Sequence, residues 1–335
     1  LRDAAVHYEN GLQLAADTGP SAAAAPETDE LYLGLSELHR EWNDLSSAAA
    51  YLERMAQSAD RSADKGNMMR WHTAVAALRA AQGDATAAIQ SLEAAERHER
   101  RDPLPRPRPI PAMKARLWLG QGRVDDAMAW GTQARVTVDD DLSYMREYEH
   151  VTLARILIVR SAKDALKLLE RLRVAAQTGG RIGSVIEILV LQSLAQHAVG
   201  NSRGAIDAVR EALALAEPEG YLRVFLDEGP RVRDFLRSAT TRGLAGPYTP
   251  RVLRAFDAPS PAPAATSNGQ SVQPLTSREI EILRLIASGL RNQEIADTLS
   301  ISAATVKRHI ANAYGKLGAG HRTEALARAK ELRIF

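Results

Sequence analysis

The chain has no cysteine. That excludes disulfides, thiolate nucleophiles and thiolate metal sites, and it suits the cytoplasm, the expected location. Aromatic residues are scarce at 5%, while Ala and Leu dominate, which favours helix over sheet. No apolar run approaches the ~18 residues of a membrane span, and no basic-then-apolar leader opens the chain, so no membrane partner is expected. The eight histidines show no paired metal spacing. There is no Gly-x-Ser-x-Gly elbow and no Gly-x-x-x-x-Gly-Lys-Ser/Thr phosphate loop; Gly200-Asn-Ser-Arg-Gly204 lacks the lysine. No metal, no cofactor and no enzymatic activity are therefore expected of these residues.

What is present is room for two or three domains in 335 residues, with 45% hydrophobic and 25% charged residues as in a globular protein. The net charge of +2 hides an asymmetry. Residues 271–335 carry ten Lys/Arg against six Asp/Glu, a net +4, and the other 270 residues are net −2. Only the C-terminal stretch has the sign that a polyphosphate favours. The chain opens at Leu1 rather than Met, within a helical pattern, and reads as a fragment of something longer.

Residues 1 to about 220 carry an internal repeat. Polar turns at Trp42-Asn-Asp-Leu, Gln82-Gly-Asp-Ala, Gln121-Gly-Arg-Val, Arg160-Ser-Ala-Lys and Val199-Gly-Asn-Ser are followed by Ala48, Ala88, Ala127, Ala165 and Ala205, spaced 40, 39, 38 and 40 residues apart. A sustained period near 39 predicts a solenoid of helical pairs. Gly83, Gly122 and Gly200 are placed to end the first helix of a pair in a left-handed conformation. The alanines let paired helices approach, and Leu92, Leu169 and Leu213 are expected in the seams. Trp42, Trp71, Trp118 and Trp130 fall at repeat positions and read as seam packing, or as a groove lining for a sugar or peptide.

The proline-rich stretch Arg101–Pro111 is predicted to be non-helical, either a long loop between repeats or a polyproline recognition segment. After Glu217-Pro-Glu-Gly220 the repeat fades, and short closing helices are expected over Tyr221–Asp227 and Arg231–Ser238. Asp257–Pro274, rich in Pro, Ala and Ser, reads as a tether. The domain bounds are then 1–257 for the repeat, 258–270 for the linker and 271–335 for a terminal module.

That module reads as four helices around a helix-turn-helix. Thr276 and Glu279 form a capping box. Ile282, Leu283, Ile286 and Leu290 form the buried side of the first helix, and Gly289 ends it. Asn292 is placed to cap a second, short helix buried through Ile295, Ala296 and Leu299, with Ala296 small because the two helices of the motif cross closely. Ser300-Ile301 makes the turn and Ser302 caps the third helix. Val306, Ile310, Ala313 and Leu317 recur at helical spacing and face the core. Ala304, Lys307, Arg308 and Ala311 then face outward. In a major groove, Lys307 and Arg308 can donate to guanine O6 and N7, and the alanines permit close approach to base edges. Thr305, His309, Asn292, Ser302, Arg291 and Lys316 are the candidate phosphate contacts. The stripe Leu326, Ala329 and Leu332 of the last helix has two readings, a cover for the module's own core and a dimer seam.

Leu275-Thr-Ser-Arg-Glu279, Glu294-Ile-Ala296, Thr305-Val-Lys-Arg-His309, Tyr314-Gly-Lys-Leu317 and Arg322-Thr-Glu-Ala325 resemble the LuxR-type helix-turn-helix family. Upstream, Trp118-Leu-Gly-Gln-Gly122, Arg146-Glu-Tyr-Glu149, Leu153-Ala-Arg155 and the run Ala216-Glu-Pro-Glu-Gly-Tyr-Leu-Arg-Val-Phe-Leu-Asp-Glu-Gly229 are similar to its large MalT-like branch. The resemblance implies an all-α chain: a TPR-like solenoid followed by a four-helix, wingless DNA-binding domain, together a bacterial transcription regulator. It implies double-stranded DNA as a partner, a homodimer or higher oligomer on DNA, and a small-molecule inducer or a protein bound by the repeats. Such proteins usually carry an N-terminal ATP-binding switch domain, and no residues of this chain support ATP dependence. An alternative reading makes the repeats a scaffold that docks another regulatory protein, with DNA binding as anchoring. Glu147, Glu149 and His150 read as a polar cluster between helices, or as a conceivable acid–base group.

Overall fold

The computed structural model describes residues 1–18, 26–59, 65–98, 106–244, 246–258, 277–287, 290, 292–299, 306, 310 and 328–329. The chain divides into two compact units, Leu1–Pro261 and Ala262–Phe335, with the division inside the expected linker. Among the described residues there is no strand, and no helix is long and apolar enough to cross a membrane.

Among the described residues of the first unit, helix α1 (Arg2–Thr18) precedes five helical pairs. These are α2 (Pro26–Glu41) with α3 (Leu45–Ala59), α4 (Lys65–Ala81) with α5 (Ala85–Arg97), α6 (Ile110–Gly120) with α7 (Val124–Gln133), α8 (Glu147–Arg160) with α9 (Ala162–Thr178), and α10 (Ile182–Ala198) with α11 (Ser202–Ala216). Three closing helices follow: α12 (Arg223–Leu226), α13 (Pro230–Thr241) and α14 (Thr249–Asp257).

The repeat signature has a direct physical counterpart. Ala48, Ala88, Ala127, Ala165 and Ala205 are all fully buried, each one turn into the second helix of its pair. A methyl group there sets the distance between the paired helices, so a longer side chain would force them apart. The turns reverse the chain in about three residues because one of them is left-handed: Gly83 has φ +87° and Gly200 has φ +80°. In the first pair Asn43 takes the same role at φ 61°, as a residue type that tolerates this region. The fourth turn needs no such residue, since Ser161 alone separates α8 from α9. Asp84 and Asn201 then cap the second helices by accepting from the Ala87 and Gly204 amides.

The apolar core is a relay. One cluster joins α2, α3 and α4, the next α4, α5 and α6, and the next α6, α7 and α8. Leu92 is buried in the seam between the second and third pairs, with Ile110 and Met69. From α8 onward a single core runs to α14 and contains Leu169, Leu213, Phe225 and Val252. At its centre, α10 is buried on nearly every side from Val185 to Ala195, and the polar residues of that stretch, Glu187, Gln192 and Ser193, are each held by a partner within the unit. Trp71, Trp118 and Trp130 pack within this relay, and Trp42 packs with the cluster that joins α1 to α2. Trp130 is buried with Ala112 and Ile156, and Trp71 donates from Nε1 to the Leu52 carbonyl at 3.0 Å.

Several elements differ from the sequence reading. Pro111, expected outside any helix, lies in the first turn of α6, where a missing amide proton costs no hydrogen bond; residues 101–105 lie outside the described set. The closing helices are Arg223–Leu226 and Pro230–Thr241 rather than Tyr221–Asp227 and Arg231–Ser238. Helix α14 lies just before the expected linker and its last residue, Asp257, pairs with Arg237 at 2.5 Å. Tyr248 and Val252 seat this helix on the core, and the Tyr248 hydroxyl donates to the Tyr221 carbonyl at 3.1 Å.

A lattice of charges ties the first helices of the pairs together. Arg116 on α6 pairs with Glu187 on α10 at 2.8 Å, skipping a whole pair, and its Nε donates to the Thr152 hydroxyl on α8 at 2.8 Å. Arg155 on α8 pairs with the same Glu187 oxygen at 2.8 Å and with Glu228 at 2.5 Å. The Arg116 guanidinium also lies 3.6 Å from the Tyr148 ring centroid. A side chain of the third pair reaches the fifth only if this wall of the solenoid is strongly curved. Burial pushes the Glu187 carboxyl up, but the guanidiniums of Arg116 and Arg155 outweigh it and hold the group at about 2.

Two outcomes follow from this architecture. Gly200→Ala places a side chain at φ +80°, where nothing else crowds it, and is expected to lower stability by about 1 kcal/mol, read from urea denaturation. Glu187 has its folded pKa depressed, so its contribution is complete above about 4.5 and fades as pH falls toward about 2. Glu187→Gln should flatten stability against pH across that window and cost about 1–3 kcal/mol at neutral pH, because two partly buried cations lose their shared partner while Arg155 keeps Glu228. An unchanged acid limb would contradict this role for Glu187.

Candidate nucleic-acid interface

The second unit is held by a small apolar cluster. Helix α15 (Ser277–Ala287) contributes Ile282, Leu283 and Ile286, each at most 1% exposed. Helix α16 (Asn292–Thr298) contributes Ile295 and Ala296, both buried. Val306 and Ala329 are fully buried in the same cluster, and Leu285, Leu290, Leu299 and Ile310 pack against it. The inward positions read from spacing are thus brought together: 282, 283 and 286 on α15 with 290 beyond its end, 295 and 296 on α16 with 299 just after it, and 306 and 310 further on. The 290 amide donates to the Leu285 carbonyl at 3.2 Å, and the Leu299 amide to the Ile295 carbonyl at 3.0 Å. Burial of Ala296 within this cluster accounts for its size, since a longer side chain would push its neighbours away.

The expected DNA-facing residues are placed as follows. Asn292 is the first residue of α16. Arg291, Ser302, Ala304, Thr305, Lys307, Arg308, His309, Ala311 and Lys316 lie outside the described residues, as do Ala313 and Leu317. In the last stripe, Ala329 is buried in the unit's own cluster, and Leu326 and Leu332 lie outside the described residues. Arg284, on α15, is exposed.

In the first unit, the Glu147, Glu149 and His150 group is occupied by structural contacts. Glu147 accepts from the Arg181 guanidinium at 2.7 Å and from the Ser184 hydroxyl at 2.6 Å. Glu149 pairs with Arg146 at 2.9 Å. His150 is fully buried, with Nδ1 2.9 Å from the Arg146 carbonyl and Nε2 3.2 Å from Asp140. These bonds fasten the loop before α8 to α8, and α8 to the start of α10. Among the described residues no cluster of three His, Asp or Glu could hold a metal ion.

A second polar constellation had no signature in the sequence. The ends of α2 and the segment around α12 meet across roughly 180 positions of chain. Arg40 pairs with Asp227 at 2.5 Å, and Arg223 pairs with the same carboxylate from the other side. Burial raises the Asp227 carboxyl, but Arg40 and Arg223 outweigh it and hold it below the usual carboxylate range. The Glu41 carboxyl is left above its usual value by burial, which Arg40 offsets only in part and Asp227 reinforces. The run Ala216–Gly229 marked this segment by resemblance, but nothing in it pointed to Arg40 and Glu41 as its partners.

Comparison with known proteins accords with both units. Residues 1–242 match the family described as the MalT-like TPR region, and residues 273–329 match the luxR family of bacterial regulatory proteins. A protein named HTH-type transcriptional regulator MalT from Klebsiella pneumoniae (strain 342) is 29% identical over 205 residues, covering 56% of this chain and 23% of that protein. Proteins of the same name from Serratia proteamaculans (strain 568) and Cronobacter sakazakii (strain ATCC BAA-894) are 26% and 27% identical over 235 residues, covering 64% of this chain and 26% of each relative. The chain thus spans about a quarter of the length of the curated relatives it matches. With its helical pairs matched over residues 1–242 and its terminal unit over 273–329, the chain belongs to the MalT-like family of luxR-type regulators.

Proposed function

We propose that the chain is a sequence-specific, DNA-binding transcription regulator of the cytoplasm, with the terminal unit reading duplex DNA and the helical pairs receiving the signal. The observation that carries this reading is the joint burial of Ala296 and Val306 in one cluster, inside the stretch that matches the luxR family. Val306 is buried in the cluster and Ile310 packs against it four positions on, so Lys307 and Arg308 between them, with Ala304 and Ala311 on either side, are proposed to face the groove. Lys307 and Arg308 are the proposed base readers. Thr305, His309, Asn292, Ser302, Arg291 and Lys316 are proposed to hold the phosphates and fix the register.

One small module covers a half-site, so a dimer or higher oligomer on DNA is part of the proposal. Ala329 serves the unit's own core, which leaves Leu326 and Leu332 as the proposed seam. The relatives named as HTH-type transcriptional regulators support the same reading. The ligand of the helical pairs is proposed to be a small-molecule inducer or a regulatory protein. No cofactor is assigned to the chain.

Lys307→Ala or Arg308→Ala should weaken binding to a preferred duplex by about 1–3 kcal/mol and relax sequence preference, read by fluorescence anisotropy on matched and mismatched duplexes. Equal affinity for both duplexes in the parent chain would contradict base readout. Leu326→Asp should abolish cooperative binding to two half-sites while leaving single-site affinity unchanged. Binding should also fall by about tenfold or more between about 50 and 200 mM salt, and a flat response would remove phosphate contacts from the account.

A further inference from the structure

We propose that residues 217–228 form a clasp that closes the helical-repeat unit on itself, joining its first pair to its last, and that release of this clasp is a built-in opening switch.

The contacts are specific and span the whole repeat. The Leu222 amide donates to the Glu41 carbonyl at 3.1 Å, and the Val224 amide to the Glu41 carboxylate at 3.0 Å. Trp42 Nε1 donates to the Glu219 carbonyl at 2.9 Å. Arg223 donates to the Asn43 side-chain oxygen at 3.1 Å, while Arg40 reaches Asp227. On its other side the clasp is rooted in the large core, through fully buried Phe225 and through Leu222. Glu228 anchors it to Arg155 on α8. Residues 40–43 of the first pair are therefore held by an element that belongs structurally to the fifth.

The chemistry of this joint sets it apart. Successive pairs are joined by buried apolar clusters, which cannot separate without exposing hydrocarbon to water. Among the described residues no buried apolar cluster contains side chains from both the first pair and the clasp. The closure consists of hydrogen bonds and ion pairs whose groups are well solvated when apart. Asp227 retains 35% of its side-chain exposure even when closed. Water competes for such contacts, so this joint opens at lower cost than the rest of the unit. The closed state also leaves Arg155 Nη1 buried without a hydrogen-bond partner, so closure does not satisfy every donor it gathers. Opening would expose the wall that carries Arg40, Arg116, Arg155 and Glu187.

The absence of cysteine makes the test direct. Spin labels at Ser46→Cys and Arg231→Cys, both exposed positions flanking the joint, report its distance by double electron–electron resonance on the intact chain. The parent should give one narrow distribution. Arg40→Ala, Asp227→Ala and the milder Asn43→Gly should each add a longer population at unchanged helicity; glycine suits φ 61° at position 43 and deletes only the acceptor for Arg223. Hydrogen exchange gives a second reading. The amides of Leu222 and Val224 should exchange roughly tenfold faster in Asp227→Ala, with those of α10 unchanged. A broad distribution in the parent, a narrow one retained in all three variants, or acceleration shared equally by α10 would each overturn the proposal.

Discussion

Glu187 sits between two guanidiniums, and the shape of the repeat unit depends on that arrangement. One carboxylate oxygen serves Arg116 of the third pair and Arg155 of the fourth while belonging to the fifth. Three elements that apolar relays join only in sequence are thereby drawn onto one centre. Partly buried ions such as these are stable only when each charge is matched, so the lattice favours the curvature that brings them together. Arg155 passes the connection on to Glu228, and from there the chain closes against residues 40–43.

Two kinds of joint therefore coexist in one solenoid. The alanine at the start of each second helix and the left-handed turn before it give close, stiff pairs, and the apolar seams add those pairs into a continuous body. The polar joint between the first pair and residues 217–228 is softer and reversible. A body that is stiff along its length and soft at one closure can change shape as a whole when something binds its wall, which suits the signal-receiving role proposed for it. The terminal unit is held differently, by one small apolar cluster centred on Ile282, Ile286, Ile295 and Val306.

The parts that were legible in the sequence are those governed by local periodicity. A 39-residue spacing of alanines reports helix approach directly, and all five are buried. In the terminal unit, 282, 283, 286, 295, 296 and 306 were placed in the core by helical spacing alone, and they meet there. What stayed hidden depends on contacts distant in sequence. Arg116, Arg155 and Glu187 look like ordinary charges on amphipathic helices until curvature brings them together, and no spacing rule links Glu41 to Val224. Proline is excluded from helix interiors but not from the first turn, which is where Pro111 sits. Helix α14 has a local signature too, a proline at its start with Val252, Leu253 and Phe256 at helical spacing. Of the candidate DNA contacts, only Asn292 falls among the described residues, so their assignment rests on the inward neighbours Val306 and Ile310.

The central claim is that the terminal unit reads sequence in duplex DNA. Selection of bound duplexes from a random pool by the intact chain, at physiological salt, tests it most directly. The account predicts enrichment of a short motif, repeated as two half-sites about one helical turn or a multiple of it apart. A selected pool indistinguishable from the starting pool would contradict it.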